Sequence, residues 1–437
     1  MNNANPNSSS DKVRVMVLGV GAFAHAVMAV LQENGAEVSC YLTRAYGHYG
    51  PSSVGKTWLF SNHPSPLPLI EEFRPDYIIP MSIDWYTEPW ASSLLEMEVP
   101  LLCPSGEALE IEARRQFAEQ LCRRYQIPFP TSYTVSNRLE ARQLMENAPR
   151  AYVLKNPYCS PYSPIHSIVC ETAEETLGWL DRIDYAEGVF LQEYLGVAEA
   201  GHFVFVSDGE ITSLVTNQEY KRAFTGNMGP VAGAPLGGIV EQDPDDRYGL
   251  AKSLIHPLQS WFQQTNFHGP LQVTAIQKDG QWHVIEYNTR LGVTTGAIIL
   301  RMLANPVEAL GDVAHNRPLQ LRWHPQRHYG ATLTLAGHGY PYVIPMVPKL
   351  PITQTGPITC DLWWNEVEQV DHQLFTAHHK LPIMGHRIAE CNAYADHLDQ
   401  AIQQTYQNIK KIHCLSSYYR LDIGETLWPP GTGYEPL

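Results

Sequence analysis

A short β-branched, apolar run, Val13 to Leu18, stops at Gly19-Val20-Gly21-Ala22 and gives way to Phe23-Ala24-His25-Ala26-Val27-Met28-Ala29-Val30-Leu31. Glycine lets a strand turn directly into a helix, and the apolar residues all round the second segment mark that helix as buried. The pattern is the opening of a βαβ unit. Gly35 ends the helix, and a second strand is expected over Glu37 to Leu42. Apolar pulses at Tyr77-Ile78-Ile79-Pro80 and Pro100-Leu101-Leu102-Cys103, each after a helix-like stretch, continue an open α/β sheet.

A chain of 437 residues exceeds one such unit, and the length prior is about three domains of ~150 residues. Hydrophobic residues at 44% against charged residues at 17% supply a core. The net charge of −15 repels phosphate backbones and anionic lipid, which argues against nucleic acid and membrane surfaces as main partners. Small anionic ligands are not excluded, because a few cations clustered in a cleft override the sign of the whole surface. Eight cysteines form no CxxC pair and read as reduced, buried small hydrophobes. Residues 1–12 read as a disordered tail without a secretory pattern, and no apolar run reaches the ~18 residues of a membrane helix, so a cytoplasmic location is expected.

The expected organisation is an N-terminal α/β domain at 13–106, a linker helix at 107–134, a lid at 135–188, a central domain at 189–325 and a C-terminal domain at 326–437. A charged amphipathic helix is expected from Glu107 to Tyr125, before the joint Pro128-Phe129-Pro130. Strand-like Ala151 to Lys155 and Ile168 to Cys170 clasp a polar, proline-bearing loop. Strands then follow at Val189 to Tyr194, His202 to Val206, Ile211 to Thr216, Leu271 to Ile276 and Trp282 to Tyr287, with Asp208-Gly209 and Asp279-Gly280 as hairpin turns. A further helix is expected at Tyr394 to Lys411.

Four motifs could carry chemistry. Gly19-x-Gly21-x-x-Ala24 could admit a phosphate at a helix N-terminus, but the second strand ends Tyr41-Leu42-Thr43-Arg44, without the acid that holds a dinucleotide ribose; a tight turn explains the glycines equally well. Lys155 ends an apolar strand before a polar loop, a place to aim an ammonium at phosphate oxygens, although spacing alone favours an edge lysine snorkelling to water. Glu286, Asn288 and Arg290 alternate on one face of a strand with Tyr287 on the other. A carboxylate and an amide oxygen so placed suit Mg²⁺ and a neighbouring arginine suits an anion; an exposed polar strand face has the same pattern. Lys221-Arg222 leads into a run containing Gly226, Gly229, Gly233, Gly237 and Gly238, which permits close backbone approach to a ligand or is a long exposed loop. The eighteen histidines, His378-His379 included, show no zinc-site spacing.

Taken in order, the opening Gly19-Val20-Gly21 with His25-Ala26, Thr216 to Arg222 with Gly229-Pro230, Glu286-Tyr287-Asn288-x-Arg290 and Tyr418 to Gly424 resemble the ATP-grasp superfamily, and within it glycinamide ribonucleotide synthetases. The resemblance implies an ATP-grasp fold of mixed α/β and α+β domains and an ATP-dependent carboxylate–amine ligase working through an acyl phosphate, with glycine and phosphoribosylamine as default substrates. It implies ATP and Mg²⁺ (or Mn²⁺) as cofactors. Arg115, Lys155, Gln192, Glu193, Leu195 and Glu199 match ATP-binding positions, and Glu286 and Asn288 match metal ligands. Arg290 and Lys221 match catalytic cations, and Gly21, His25, Arg44, Arg222 and Gly229 fall at substrate-binding positions. Implied partners are small-molecule carboxylate and amine substrates, on a monomer or homodimer.

The sequence departs from that family in specific places. The loop after Lys155, glycine-rich in the family, is Asn156-Pro157-Tyr158-Cys159-Ser160-Pro161-Tyr162-Ser163-Pro164-Ile165-His166-Ser167; prolines remove N–H donors, leaving hydroxyls or His166 for phosphate contact. The family's Arg-Glu-His is Phe23-Ala24-His25, its Pro-Gly-Asn-Ala-Gly is replaced in Arg44 to Gly50, and its Gly-Asp-Pro-Glu is Gly292-Val293-Thr294-Thr295. Two alternatives follow: an amino-acid or peptide ligase with another acceptor amine, and a non-catalytic nucleotide-binding relative.

Overall fold

In the computed structural model the described residues are 12–19, 21–44, 47–159, 167–183, 185–377 and 383–425. Residues 1–11 of the expected tail, Val20 of the glycine turn, loop residues 160–166 with His166, and the His378-His379 pair lie outside them.

Strands β1 (Arg14–Gly19), β2 (Glu37–Leu42), β3 (Lys56–Leu59) and β4 (Tyr77–Pro80) form a parallel sheet in the order β3-β2-β1-β4, with the helix Gly21–Glu33 crossing between the first two. Both faces are covered, so alternate residues feed different cores. Val15 and Val17 pack with the helix residues Val27 and Leu31, whereas Met16 and Leu18 pack with Trp85 and Leu94. The pulse Pro100 to Cys103 adds only an isolated bridge, Ile78 to Leu101, and β3 was not expected from the sequence.

The expected helix from Glu107 to Tyr125 is broken. A turn of 3₁₀ helix (Gly106–Leu109) and a single α turn (Glu110–Ala113) stop at Arg114, whose extended backbone (φ −125°, ψ 116°) precedes the helix Arg115–Arg124. The break has a partner: Arg115 N–H donates to Pro157 O (3.0 Å) and Cys159 N–H to Ala113 O (3.0 Å). Helix is given up for pairing with the root of the lid loop.

The segment expected as a lid, with its flanking strands, forms an antiparallel sheet of β5 (Ser132–Val135), β6 (Tyr152–Lys155), β7 (Ser167–Val169) and β8 (Val189–Glu193), in the order β5-β8-β6-β7. The helices Arg138–Asn147 and Ala173–Leu180, whose N-termini are capped by the Asn137 and Thr172 side chains, pack Met145 and Leu180 on Tyr152, Leu154 and Leu191.

The main sheet combines β9 (Glu199–Ser207), β10 (Glu210–Glu219), β13 (Gly237–Gln242), β14 (Gly269–Lys278), β15 (Gln281–Asn288) and β16 (Tyr329–Ala336) with two later strands, Asp361–Trp364 and Arg387–Ala395. A separate hairpin, β11 (Arg222–Phe224) with β12 (Met228–Val231), folds much of the glycine-rich run that an exposed loop would have left open. Strands from beyond Tyr329 thus continue the sheet begun by the central segment. Both Asp-Gly turns have positive φ at each residue, 53° and 75° at Asp208-Gly209 and 53° and 77° at Asp279-Gly280. The helix expected from Tyr394 starts at Leu398, because Tyr394 and Ala395 still pair with Gly330 and Tyr329 in the sheet. No described helix is long and apolar enough to cross a membrane.

Candidate active site

Residues directly opposite each other in a sheet project to the same face. Glu286 opposes Thr274, Thr274 opposes Gly201, and Gly201 opposes Asn217; two positions along lie Asn288, Gln272, Glu199 and Glu219. One face of four adjacent strands therefore carries this polar set. Tyr287, on the other face, is buried with its hydroxyl donating to Leu254 O (2.6 Å), as the alternation predicts. That opposite face is otherwise the apolar bed of Val273, Ala275 and Val204, with one polar chain: His202 Nδ1 lies 2.9 Å from Thr216 Oγ1, which donates to Asp243 (2.7 Å).

A bulge shapes the edge. Thr274 pairs with Glu286 but Ala275 with Val284, so Ile285 is the extra residue. Its carbonyl accepts from Lys155 Nζ (3.3 Å) and from Gln192 Nε2 (3.3 Å), fixing two lid strands to β15.

Three cations from three elements meet at Glu286. Arg115 Nη1 lies 3.6 Å from Oε2 and Lys221 Nζ lies 3.5 Å from Oε1, while Lys155 is buried beside them. Arg115 is held by Nε donating to Asn156 O (2.8 Å), and Lys221 also reaches Glu199 (2.9 Å) and Glu219 (3.9 Å). Burial alone would raise Glu286, but Lys221, Lys155, Arg115 and Arg290 reverse it and hold the carboxylate well below its ordinary range. Burial opposes the charge of Lys221, yet Glu199, Glu286 and Glu219 raise it above an ordinary lysine. Lys155 goes the other way: burial first, then Arg115, lower it to about 7 against the pull of Glu286. Burial raises the Glu219 carboxyl, with Lys221 opposing.

Beyond the strand end, Arg290 turns back, donating from Nη2 to Asn288 Oδ1 (3.1 Å) with Nε 3.3 Å from Glu112 Oε1. Glu286 and Asn288 offer oxygen donors of the kind Mg²⁺ takes, and the amide oxygen keeps a second lone pair beyond the Arg290 bond.

The remaining expected positions group differently. Gln192 is buried, with Oε1 lacking a partner among the described residues. Glu193 leaves its side chain to Arg150 (3.3 Å) and Lys278 (3.9 Å), and Leu195 follows half-buried on the same connection toward Glu199. Arg222, expected at a substrate-binding position, pairs with Glu171 of the lid (2.6 Å) and donates to Gly229 O (2.9 Å); Gly229 has φ 78°, and a Cβ there would strike Phe224. Gly21 (φ 59°) faces Asn365, whose Oδ1 accepts from Ala22 N–H (3.1 Å). His25 is buried, accepts the Trp364 N–H at Nδ1 (2.9 Å), and is pushed down to about 4 by burial, so it is neutral rather than a cation for phosphate. Arg44 pairs with Asp84 (3.0 Å). Glu112, Glu219 and Glu171 were missed: in the sequence they are unremarkable charges, and only burial or a long-range partner distinguishes them.

Residues 113–294, the segment holding this cluster, match the family model described as phosphoribosylglycinamide synthetase, ATP-grasp (A) domain. The fold is an ATP-grasp fold. A phosphoribosylamine–glycine ligase of Streptococcus suis is 27% identical over 336 residues, covering 74% of this chain and 77% of the relative. The corresponding ligase of Thermotoga maritima is 22% identical over 435 residues, covering 94% and 99%. Its crystal structure superposes at a TM-score of 0.76 with 21% identity, over 94% of this chain and 100% of that one. A wider likeness of fold is seen to the biotin carboxylase domain of Hydrogenobacter thermophilus 2-oxoglutarate carboxylase, solved with MgADP and bicarbonate, at a TM-score of 0.67 and 13% identity over 93% and 91%.

Proposed function

We propose that this protein of ATP-grasp fold is an ATP-dependent carboxylate–amine ligase of the glycinamide ribonucleotide synthetase type, with glycine and phosphoribosylamine as its substrate pair. The observation that carries the reading is the meeting of Arg115, Lys155 and Lys221 around Glu286, on the strand face that also holds Asn288. So many cations around one carboxylate in an otherwise acidic protein suit a polyphosphate.

In this reading Arg115 and Lys155 bind the phosphates, and the connection from Gln192 through Glu193 to Leu195 lies along the adenine, with Glu199 at the ribose. Glu286 and Asn288 would hold Mg²⁺ (or Mn²⁺), which when bound screens the phosphate charge. The substrate carboxylate oxygen attacks the γ-phosphorus, the bond to the β–γ bridging oxygen breaks, and ADP leaves. The amine then attacks the acyl carbon, the bond to the phosphate oxygen breaks, and the amine gives up a proton. Arg290 and Lys221 face the charge that develops on the transferred group. The lid keeps water from the acyl phosphate. Arg44, Arg222 and Gly229 belong to the acceptor side, where Gly21 and His25 shape the wall through Asn365 and Trp364.

We place the domains at 13–106, 135–188, 189–325 and 326–437, joined by the linker 107–134, in a cytoplasmic monomer or homodimer. Incubation with Mg·ATP and a panel of carboxylates and amines tests the reading. ADP and phosphate should appear only with a matched pair, glycine and phosphoribosylamine first, and Glu286→Ala should abolish release. ATP binding without turnover on any pair would favour a non-catalytic relative, and turnover with a different amine a specialised ligase.

A further inference from the structure

The carboxylate of Glu112 is buried and divided between two tasks. Oε2 accepts the Thr289 backbone N–H (2.5 Å) and the Thr289 hydroxyl (2.9 Å), while Oε1 faces Arg290 Nε at 3.3 Å. Thr289 is the peptide between Asn288 and Arg290, and it too is fully buried. One side chain on the short turn Glu110–Ala113 thus pins the backbone between the two functional groups and one edge of the guanidinium. An arginine side chain otherwise has long, flexible reach; with Nε in an ion pair with Glu112 and Nη2 donating to Asn288 Oδ1, the guanidinium is held from two sides. Burial pushes the Glu112 carboxyl up and Arg290 with the two Thr289 donors opposes it, while Glu286 adds to the rise, so the group stays raised overall.

We propose that Glu112 is a positioning residue for the phosphoryl-transfer step: it fixes the plane of Arg290 and the Asn288–Arg290 backbone relative to the reacting carboxylate without touching substrate itself. This rests on the ligase reading above. Isosteric Glu112→Gln can keep an oxygen on the Thr289 donors but turns an N–H₂ donor toward the Arg290 Nε–H, so the guanidinium is released while the buried volume is unchanged. The expected signature is selective, because displacement of about 1 Å at a transition-state contact lowers kcat by roughly 10²-fold. The KM for ATP, set by Arg115 and Lys155, should stay within about twofold, and Glu112→Gln combined with Arg290→Lys should be no slower than Arg290→Lys alone.

The test pairs steady-state kinetics of these three variants with heteronuclear NMR of the arginine Nε–H groups of the full chain, the Arg290 signal being assigned by its loss in Arg290→Lys. Support is a slow Arg290 Nε–H exchange in the wild type, fast exchange in Glu112→Gln, and the kcat-selective, non-additive loss. A Glu112→Gln enzyme with near wild-type kcat, or losses that multiply in the double variant, overturns the proposal. If the wild type turns over no substrate pair, the ligase reading fails and the Nε–H exchange alone decides the contact: unchanged exchange in Glu112→Gln overturns it. Should Glu112→Gln not fold, Glu112→Asp, which keeps the charge and shortens the reach, replaces it, with partial retention of kcat supporting the proposal and full retention overturning it.

Discussion

Lys221 Nζ lies 3.5 Å from Glu286 Oε1, and each holds the other in its charged form: the lysine is raised and the carboxylate lowered despite burial that opposes both. The pair joins β15 to the segment between β10 and β11. Removing Lys221 takes away the first of the cations that hold Glu286 ionised, while Lys155, Arg115 and Arg290 remain. Lys221→Met should lower kcat by about 10²- to 10³-fold, the loss typical of an electrostatic contact to a developing charge, read as ADP release under saturating substrates. Activity near the wild type would remove Lys221 from the catalytic set.

Lys155 is lowered to about 7 in the free protein, and a triphosphate bound beside it should restore the ammonium form. The pKa rises on binding, so binding takes up a proton in the window above about pH 7 and little below it. ATP affinity should therefore fall as pH rises from 7 toward 9. Calorimetry at pH 8 in buffers of different ionisation enthalpy should show the uptake, and Lys155→Met should abolish it.

How much of this was legible in the sequence depends on range. The Asp-Gly turns, the split of Glu286 and Asn288 from Tyr287, and the strand-to-helix opening are local rules of backbone sign and alternation, and they hold. The bulge at Ile285 and the helix break at Arg114 depend on partners far away in the chain, namely Lys155 and Gln192 for the first and Pro157 and Cys159 for the second. Glu112 looked like one more charge on an amphipathic helix, because burial is a property of packing. Arg222 is expected at a substrate-binding position, but Lys221 lies in the connection before β11 whereas Arg222 opens that strand, and its side chain pairs with Glu171 of the lid.

That contact makes Arg222 a latch. Its pair with Glu171 connects the hairpin β11–β12 to the lid beyond β7. Glu171 is half exposed, so the pair contributes at the level of a surface ion pair. Glu171→Ala should raise the KM for ATP by about two- to fivefold at low salt, with the effect fading as salt increases, and should leave the melting temperature unchanged.

Gly21 is required by both conformation and space. Its φ of 59° disfavours any side chain, and a Cβ would fall 1.6 Å from Asn365 Oδ1. Gly21→Ala should destabilise the protein by about 2–4 kcal/mol in urea unfolding, and adding Asn365→Ala should recover part of that loss although it removes the acceptor for Ala22 N–H.

In the proposed reaction, ATP phosphorylates a substrate carboxylate at the Glu286 cluster. Glycine labelled with heavy oxygen in its carboxylate, incubated with Mg·ATP, phosphoribosylamine and the protein, measures it directly by mass spectrometry of the released phosphate. One labelled oxygen should pass from the carboxylate into each phosphate. Release of ADP with unlabelled phosphate would contradict it.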